Sequence, residues 1–258
     1  ADLYDPDDVV LPASWHQSLD QCPPHVRYVR ELFDRGERDI HIGFAYAVSE
    51  REARAALALT SGMIAMIDDM VGRILHTLRE TGLDRNTVIV FASDHGDYMG
   101  DHRLLLKGPV HYRGVTNVPF LWCDPDTPKP GHVFDGLASS IDFAPTVLAR
   151  AGLQPFNGMQ GRNLLPQIMG ADTPAHDAIM IEEENQRLLF GFDAPPRIQS
   201  VLTEDLRLSI YDGIPWGELY DLQTDPDEMT NLWDDPAHQH TKLAALERMT
   251  RLALTLKD

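Results

Sequence analysis

Apolar residues at Leu57, Met63, Ile64, Ile67, Met70, Val71, Ile74, Leu75 and Leu78 recur at the three-and-four spacing of a helix face, and predict a helix over 50–81. Ser49-x-x-Glu52 marks its start, because hydroxyl and carboxylate each satisfy a backbone N–H that the first turn leaves over, and Gly82 marks its end. Upstream, prolines punctuate an extended opening to about residue 25, followed by a helical patch at Val26 to Phe33. Downstream, Val88, Ile89, Val90 and Phe91 make an almost continuous apolar run, the pattern of a parallel strand buried on both faces, predicted over 87–93. A strand at 117–122, a helix at about 142–151 and a strand near Ala178 to Glu182 continue the alternation expected of an α/β layered sheet. Past about residue 195 the spacing shortens. Ile198 to Leu202, Leu206 to Tyr211 and Glu218 to Leu222 read as a small antiparallel sheet, and Asp235-Pro236 opens a terminal helix with Leu243, Leu246, Met249 and Leu256 as its stripe. The expected division is 1–195 for an α/β core and 196–258 for a small antiparallel subdomain with the last helix. No repeat or low-complexity tract is visible.

Composition narrows the function classes. The 258 residues are 43% hydrophobic, enough to bury a globular core. No run of about 18 apolar residues occurs, so no membrane span is expected. The opening Ala1-Asp-Leu-Tyr-Asp-Pro6 has neither a basic nor an apolar segment, so no secretory signal is visible and the compartment, cytoplasmic or periplasmic, stays open. Two cysteines make no disulfide framework. With 40 acidic residues against 22 Lys and Arg, a formal charge of −18, the chain lacks the extended basic surface that nucleic acid demands. A homo-oligomer is compatible with everything in the pattern.

The chemistry concentrates where the 87–93 strand stops, at Asp94-His95-Gly96. Ligands in layered α/β sheets gather at the carboxyl ends of strands. Asp94 offers a hard oxygen and His95 a borderline nitrogen, a pair suited to Ca²⁺, Mg²⁺ or Mn²⁺ rather than to a thiolate zinc site. The plainer alternative is that Asp94 caps a turn and His95 packs on it. The neighbouring residues favour a site. Residues 102–123 contain no acid, and His102 to Arg113 holds Arg103, Lys107, Arg113 and two imidazoles. On so acidic a chain this is a local well for an anion, which implies a small negatively charged substrate. Lys107-Gly108-Pro109 is a turn signal that would hold Lys107 on a rigid bend.

The run Ser93-Asp-His-Gly-Asp-Tyr-Met-Gly-Asp-His102, with Lys107-Gly-Pro and Val118-Pro-Phe-Leu121, resembles the sulfatase family of the alkaline phosphatase superfamily. Further likenesses occur in order along the chain: Ser140-Ile-Asp-Phe-Ala-Pro-Thr146 and on to Leu153, Gly158-Met-Gln-Gly-Arg-Asn-Leu-Leu-Pro166, and Glu218-Leu-Tyr-Asp-Leu222 through Leu232. The resemblance runs from about residue 50 to about 235. It implies an alkaline-phosphatase-like layered sheet and metal-dependent hydrolysis of a sulfate ester, a phosphonate or phosphate monoester being the alternative within the superfamily. It makes Asp94 and His95 metal ligands, Ca²⁺ being the first choice and Mn²⁺ or Mg²⁺ the others. It makes Lys107 the cation on the transferring group, and leaves His111 as a candidate for assisting the leaving alcohol. For His102, His111 and Arg113, which match less strictly, packing or support is expected ahead of direct contact.

The departures are equally informative. Sulfatases attack with a formylglycine made from Cys/Ser-x-Pro-x-Arg, and carry an Asp-Asp metal pair after their first strand. Cys22-Pro-Pro-His25 is not followed by the Arg, Val26 standing there, while Cys123-Asp-Pro-Asp-Thr127 has Thr in place of Arg and is explained by a turn. Asp68-Asp69 falls inside the predicted helix, and Asp5, Asp7 and Asp8 in a loop. The chain therefore reads as the C-terminal part of a sulfatase, with the formylglycine expected upstream and this stretch alone expected to be inactive. A truncated or degenerate anion-binding module is the non-catalytic alternative.

Overall fold

In the computed structural model, residues 3–38, 44–128 and 130–255 are described. The regular elements in order are α1 (Pro24–Asp34), β1 (Tyr46–Ala47), α2 (Glu50–Thr81), β2 (Ile89–Ala92), β3 (Leu104–Leu105), α3 (Arg113–Thr116) and β4 (Phe120–Cys123). Then come α4 (Phe143–Arg150), α5 (Leu165–Ile168), β5 (Ile179–Glu184), β6 (Arg197–Leu202), β7 (Leu206–Tyr211), β8 (Gly217–Asp221) and α6 (Gln239–Thr255). They fall into two compact units, one of Ala1–Gly108, Tyr112–Asp126 and Leu189–Gly191, the other of Pro109–His111, Thr127–Leu188 and Phe192–Asp258. The mixture of helices and small sheets is that of an α/β protein.

In the first unit, α1 starts on Pro24, whose missing N–H costs nothing at that position, and buries Val26, Val29 and Leu32. The capping box of α2 forms as its spacing requires: Ser49 Oγ accepts from the Glu52 N–H at 3.3 Å, and Glu52 Oε2 accepts from the Ser49 N–H at 2.9 Å. Hydrogen bonds from Ser49 and then Arg38 hold the Glu52 carboxyl at a pKa of about 2, below its ordinary 4.5. Gly82 closes the helix at φ 69°. Trp15, Val48, Ala53 and Leu105 form a core around the start of α2. Farther along the picture changes, because only Ala53 and Ala58 of its 32 residues are buried. Against the expectation of no span, α2 is long and apolar enough, by length and composition only, to cross a membrane.

β1 pairs antiparallel with β3 in a two-residue ribbon that the sequence did not announce. β2 pairs with β4, also antiparallel, with Ile89 opposite Cys123 and Ala92 opposite Phe120. This corrects the expectation of a parallel strand buried on both faces. Among the described residues β2 has β4 as its one partner, and none of its four side chains is fully buried.

In the second unit, β5, β6, β7 and β8 make a four-stranded antiparallel meander in sequence order. The strand expected near Ala178 to Glu182 is β5, so it belongs with this sheet and not with the earlier α/β layers. Val201, Leu208 and Leu219 face Ala245 and Met249 of α6, with Leu246 and Leu252 packed beside them. Leu243, expected in that stripe, is exposed, and Leu256 lies outside the described residues. The sheet also buries charge. Arg207 donates from Nη2 to Glu218 Oε2 at 3.0 Å, from Nε to Glu228 and from Nη1 to Ser209 at 2.5 Å, while the Tyr211 hydroxyl donates to Glu218 Oε1 at 2.7 Å. Asp142, fully buried, accepts from the Ser139 and Arg162 N–H groups and pairs with His176 Nε2 at 2.8 Å, fastening the 158–163 loop.

Candidate active site

Three of the four expected site residues converge in the first unit. β2 ends at Ala92, and Asp94 and His95 come directly after it. The Asp94 carboxylate turns back onto its own segment, accepting from the His95 N–H at 3.0 Å and lying 3.5 Å from His95 Nε2. Those backbone N–H groups, of His95 and then of Asp94 itself, hold its carboxyl below the usual carboxylate range, with His95 and Lys107 adding to the effect. Asp94 thus stays ionised. Its side chain is 86% exposed and that of His95 35%.

The His95 ring is oriented by the backbone. Nδ1–H donates to the Gly96 carbonyl at 2.8 Å, which assigns the proton to Nδ1 and leaves a lone pair on Nε2. Lys107 Nζ donates to that lone pair. Ser93 Oγ, donating to the His95 carbonyl at 2.8 Å, fixes the same turn. A histidine whose Nδ1–H is tied to a carbonyl while Nε2 carries no proton is the arrangement metal-binding histidines adopt.

The turn depends on two glycines. The Gly96 N–H donates to the Val115 carbonyl at 2.8 Å, and a Cβ on Gly96 would lie 2.0 Å from the Gly114 carbonyl oxygen. A Cβ on Gly114 would in turn meet the Asp101 carboxylate at 2.4 Å. Two backbone segments approach here as closely as side-chain-free residues allow. Lys107 arrives after Leu106, which takes the left-handed conformation at φ 66° and so reverses the chain toward His95.

His102 and Arg103 belong to packing. His102 is buried, with Nδ1 2.9 Å from Gln17 Oε1 and its ring stacked on Tyr112 at 3.9 Å between centroids. The Arg103 guanidinium lies over the rings of Trp15 and Phe33.

His111, weighed both for packing and for assisting the leaving alcohol, sits in the second unit. It is buried, its Nδ1 lies 2.7 Å from Ser200 Oγ, and burial, aided by Arg207 and opposed by Glu218, lowers its pKa to about 3. A neutral ring held this way does not protonate a leaving alcohol at neutral pH. Ser200 continues to Ser209 at 2.6 Å and so to Arg207, making His111 the end of a buried polar chain. Ser200 and Ser209 were invisible as partners, since both are far from His111 along the chain and sit in an alternating strand pattern.

Among the described residues no group of three or more His, Cys, Asp and Glu side chains is placed to hold an ion. The donors that do meet, one carboxylate and one imidazole with an unprotonated Nε2, fit two positions of a divalent-metal site. Cys123, the imitation of a nucleophile motif, is exposed at the end of β4 and leads into a turn in which Asp124 accepts from the Asp126 N–H at 3.0 Å.

Known proteins resemble this chain along most of its length. The sequence profile of the Sulfatase family matches residues 9–153, and that of the C-terminal region of N-sulphoglucosamine sulphohydrolase matches residues 100–254. The chain is 31% identical over 237 residues to the multifunctional alkaline phosphatase superfamily protein PehA of Trinickia caryophylli, covering 88% of this chain and 44% of that protein. It is 32% identical over 188 residues to an arylsulfatase of Clostridium perfringens, covering 72% and 37%. Its fold superimposes on the phosphonate monoester hydrolase SpPMH of Silicibacter pomeroyi with a TM-score of 0.82 and 25% identity, over 100% of this chain and 52% of that one. The chain thus spans about half the length, or less, of the relatives it matches.

Proposed function

The chain belongs to the sulfatase family of the alkaline phosphatase superfamily, and from that premise we propose that it carries the metal-binding and anion-holding part of a sulfuric ester hydrolase. The observation that supports this most is the convergence of Asp94, His95 and Lys107 in one turn after β2, with Asp94 Oδ2 and Lys107 Nζ both beside His95 Nε2.

Asp94 and His95 would hold a divalent cation, Ca²⁺ before Mn²⁺ or Mg²⁺ by the family resemblance, a hard carboxylate suiting any of the three. Such a cation supplies Lewis-acid polarisation of a non-bridging oxygen and orientation of the nucleophile. The remaining work falls to the chain's own groups. Asp94, kept ionised by backbone N–H groups, needs no proton loss to bind. The Gly96 carbonyl keeps the His95 proton on Nδ1. The Lys107 ammonium, which donates to the His95 Nε2 lone pair here, would donate to an oxygen of the transferring group, where negative charge accumulates. The nucleophile, a formylglycine by family resemblance, is expected from residues outside this sequence, since no Cys/Ser-x-Pro-x-Arg occurs in it.

A phosphonate monoester is the second reading, favoured by the 0.82 TM-score with the S. pomeroyi enzyme and consistent with the same metal and lysine. The deciding assay is hydrolysis of an aryl sulfate and of a phosphonate monoester, with added Ca²⁺, Mg²⁺ or Mn²⁺, by this chain and by a version extended upstream. Activity in the extended protein alone is expected, its ratio on the two esters assigning the substrate. Absence of hydrolysis of either ester by the extended protein would refute the proposal. Turnover by the short chain would mean that the nucleophile lies within it, with Cys123 the first residue to re-examine.

A further inference from the structure

Between the Asp94–His95 turn and Lys107, the backbone of the first unit is held in a form that side chains disfavour. Met99, His102, Arg103 and Leu106 have φ of 48°, 51°, 66° and 66°, so four non-glycine residues within 99–106 are left-handed. Such backbone persists only where its surroundings over-determine it. Two sets of contacts do so here. The segment closes on itself: the Tyr98 N–H donates to the Leu106 carbonyl at 2.8 Å, the Gly100 N–H to the Leu104 carbonyl at 2.8 Å and the Arg103 N–H to the Gly100 carbonyl at 2.9 Å. Joining 98 to 106 is what sets His95, shortly before the segment, against Lys107, directly after it.

The closed segment is then fastened by residues far upstream. Ser14 Oγ donates to Asp101 Oδ1 at 2.7 Å and accepts from the His102 N–H at 3.2 Å, and Gln17 Oε1 lies 2.9 Å from His102 Nδ1. Ser14, Gln17 and His102 are each at most 2% exposed, so water does not compete for these bonds. Asp101 also bears on the metal turn. Its carboxylate occupies the place that a Cβ on Gly114 would need, and the carbonyl of the next residue, Val115, accepts the Gly96 N–H.

We propose that Ser14, Gln17 and Asp101 are positioning residues, a buried polar latch that fixes the strained 98–106 segment and through it the placement of His95 against Lys107. The inference rests on the proposed function, in which His95 holds the cation and Lys107 the transferring group. Hydrogen bonds suit the task, because a buried, satisfied polar network specifies one backbone arrangement where apolar packing accepts several. Two of the three residues lie in the proline-punctuated opening of the chain, which by its sequence alone carried no chemistry.

The test is made in the full-length protein on Ser14→Ala, Asp101→Ala and Asp101→Asn, the last of which keeps an oxygen for the Ser14 hydroxyl. Ser18→Ala is the control, because the Ser18 hydroxyl donates to the exposed Gln21 side chain, away from the latch. Amide exchange over 94–107, followed by mass spectrometry, reads the segment, and steady-state kinetics on the ester that the parent hydrolyses reads the consequence. Each Ala variant should exchange over 94–107 roughly tenfold faster, with β5 to β8 unchanged. Each should also lose roughly tenfold to hundredfold in kcat, with KM within about threefold of the parent. Asp101→Asn should recover most of both losses, and Ser18→Ala should match the parent. Exchange at the parent's rate in both Ala variants, faster exchange with kcat unchanged, a loss confined to KM, or an Asp101→Asn protein no better than Asp101→Ala would each overturn the proposal. Global unfolding of Ser14→Ala, which removes a single oxygen, would make the contact a general stability bond and overturn it too. Hydrolysis of neither ester by the parent would count against the proposed function, and the exchange result alone would then decide the latch.

Discussion

Replacing Arg207 by Met should destabilise the second unit by about 3–5 kcal/mol, the usual cost of removing one partner of a buried ion pair. Arg207 is 1% exposed, Glu218 fully buried and Glu228 2% exposed, so water replaces none of the lost hydrogen bonds. Both carboxylates and the Ser209 hydroxyl lose a donor, although Glu218 keeps the Tyr211 hydroxyl at 2.7 Å. That retained bond places the expected loss inside the single-pair range and not at twice it. Met preserves most of the volume against Tyr220, over whose ring the guanidinium lies at 4.9 Å, so the deficit is electrostatic and not a cavity. In thermal unfolding of the full-length protein the loss should read as a fall in Tm of roughly 10 °C. The triple variant Arg207→Met, Glu218→Gln, Glu228→Gln removes all three charges and should recover more than half of that fall. A single variant within about 1 kcal/mol of the parent, or a triple variant less stable than the single, would refute the reasoning.

The first unit yields two more outcomes. In the full-length protein, Lys107→Ala should lower kcat by roughly 10²–10³, the usual cost of one charge-stabilising donor, whereas Arg103→Ala, over Trp15 and Phe33, should lower stability and leave kcat within a few-fold; steady-state kinetics with a melting curve separates the two. Glu52→Gln should cost about 1 kcal/mol at pH 7, a figure reduced for solvent screening because the carboxylate is 40% exposed. Since the folded pKa of Glu52, about 2, lies below its ordinary 4.5, its contribution is complete above about pH 4.5 and disappears as pH falls toward 2, so parent and variant should converge over that window in acid titration.

The features legible in the sequence were local. Helix α2 begins and ends where its capping box and Gly82 place it, because those signals act through backbone groups within one turn. Asp94, His95 and Lys107 were legible because they lie on one short segment, joined by a turn at Leu106 to Pro109. Direction was not legible. β2 has the apolar run of a parallel strand and pairs antiparallel with β4, because a side-chain pattern records how much is buried and not which neighbour does the burying. The exposed stripe of α2 has the same origin: its pattern marks an apolar face, and not what covers it. The partner of His111 was not legible for a related reason, its basic neighbourhood being visible in the sequence while Ser200 is distant along the chain.

The central claim, that Asp94 and His95 hold a divalent cation beside Lys107, is tested most directly by the metal content of the purified full-length protein and its Asp94→Ala variant. Asp94 is 86% exposed and supports no core contact, so the variant should fold, with an unchanged circular dichroism spectrum. Elemental analysis should find about one divalent ion in the parent and a large loss of it in the variant, because the charged carboxylate supplies much of the affinity for a hard cation. Equal metal content in a folded Asp94→Ala protein would contradict the account.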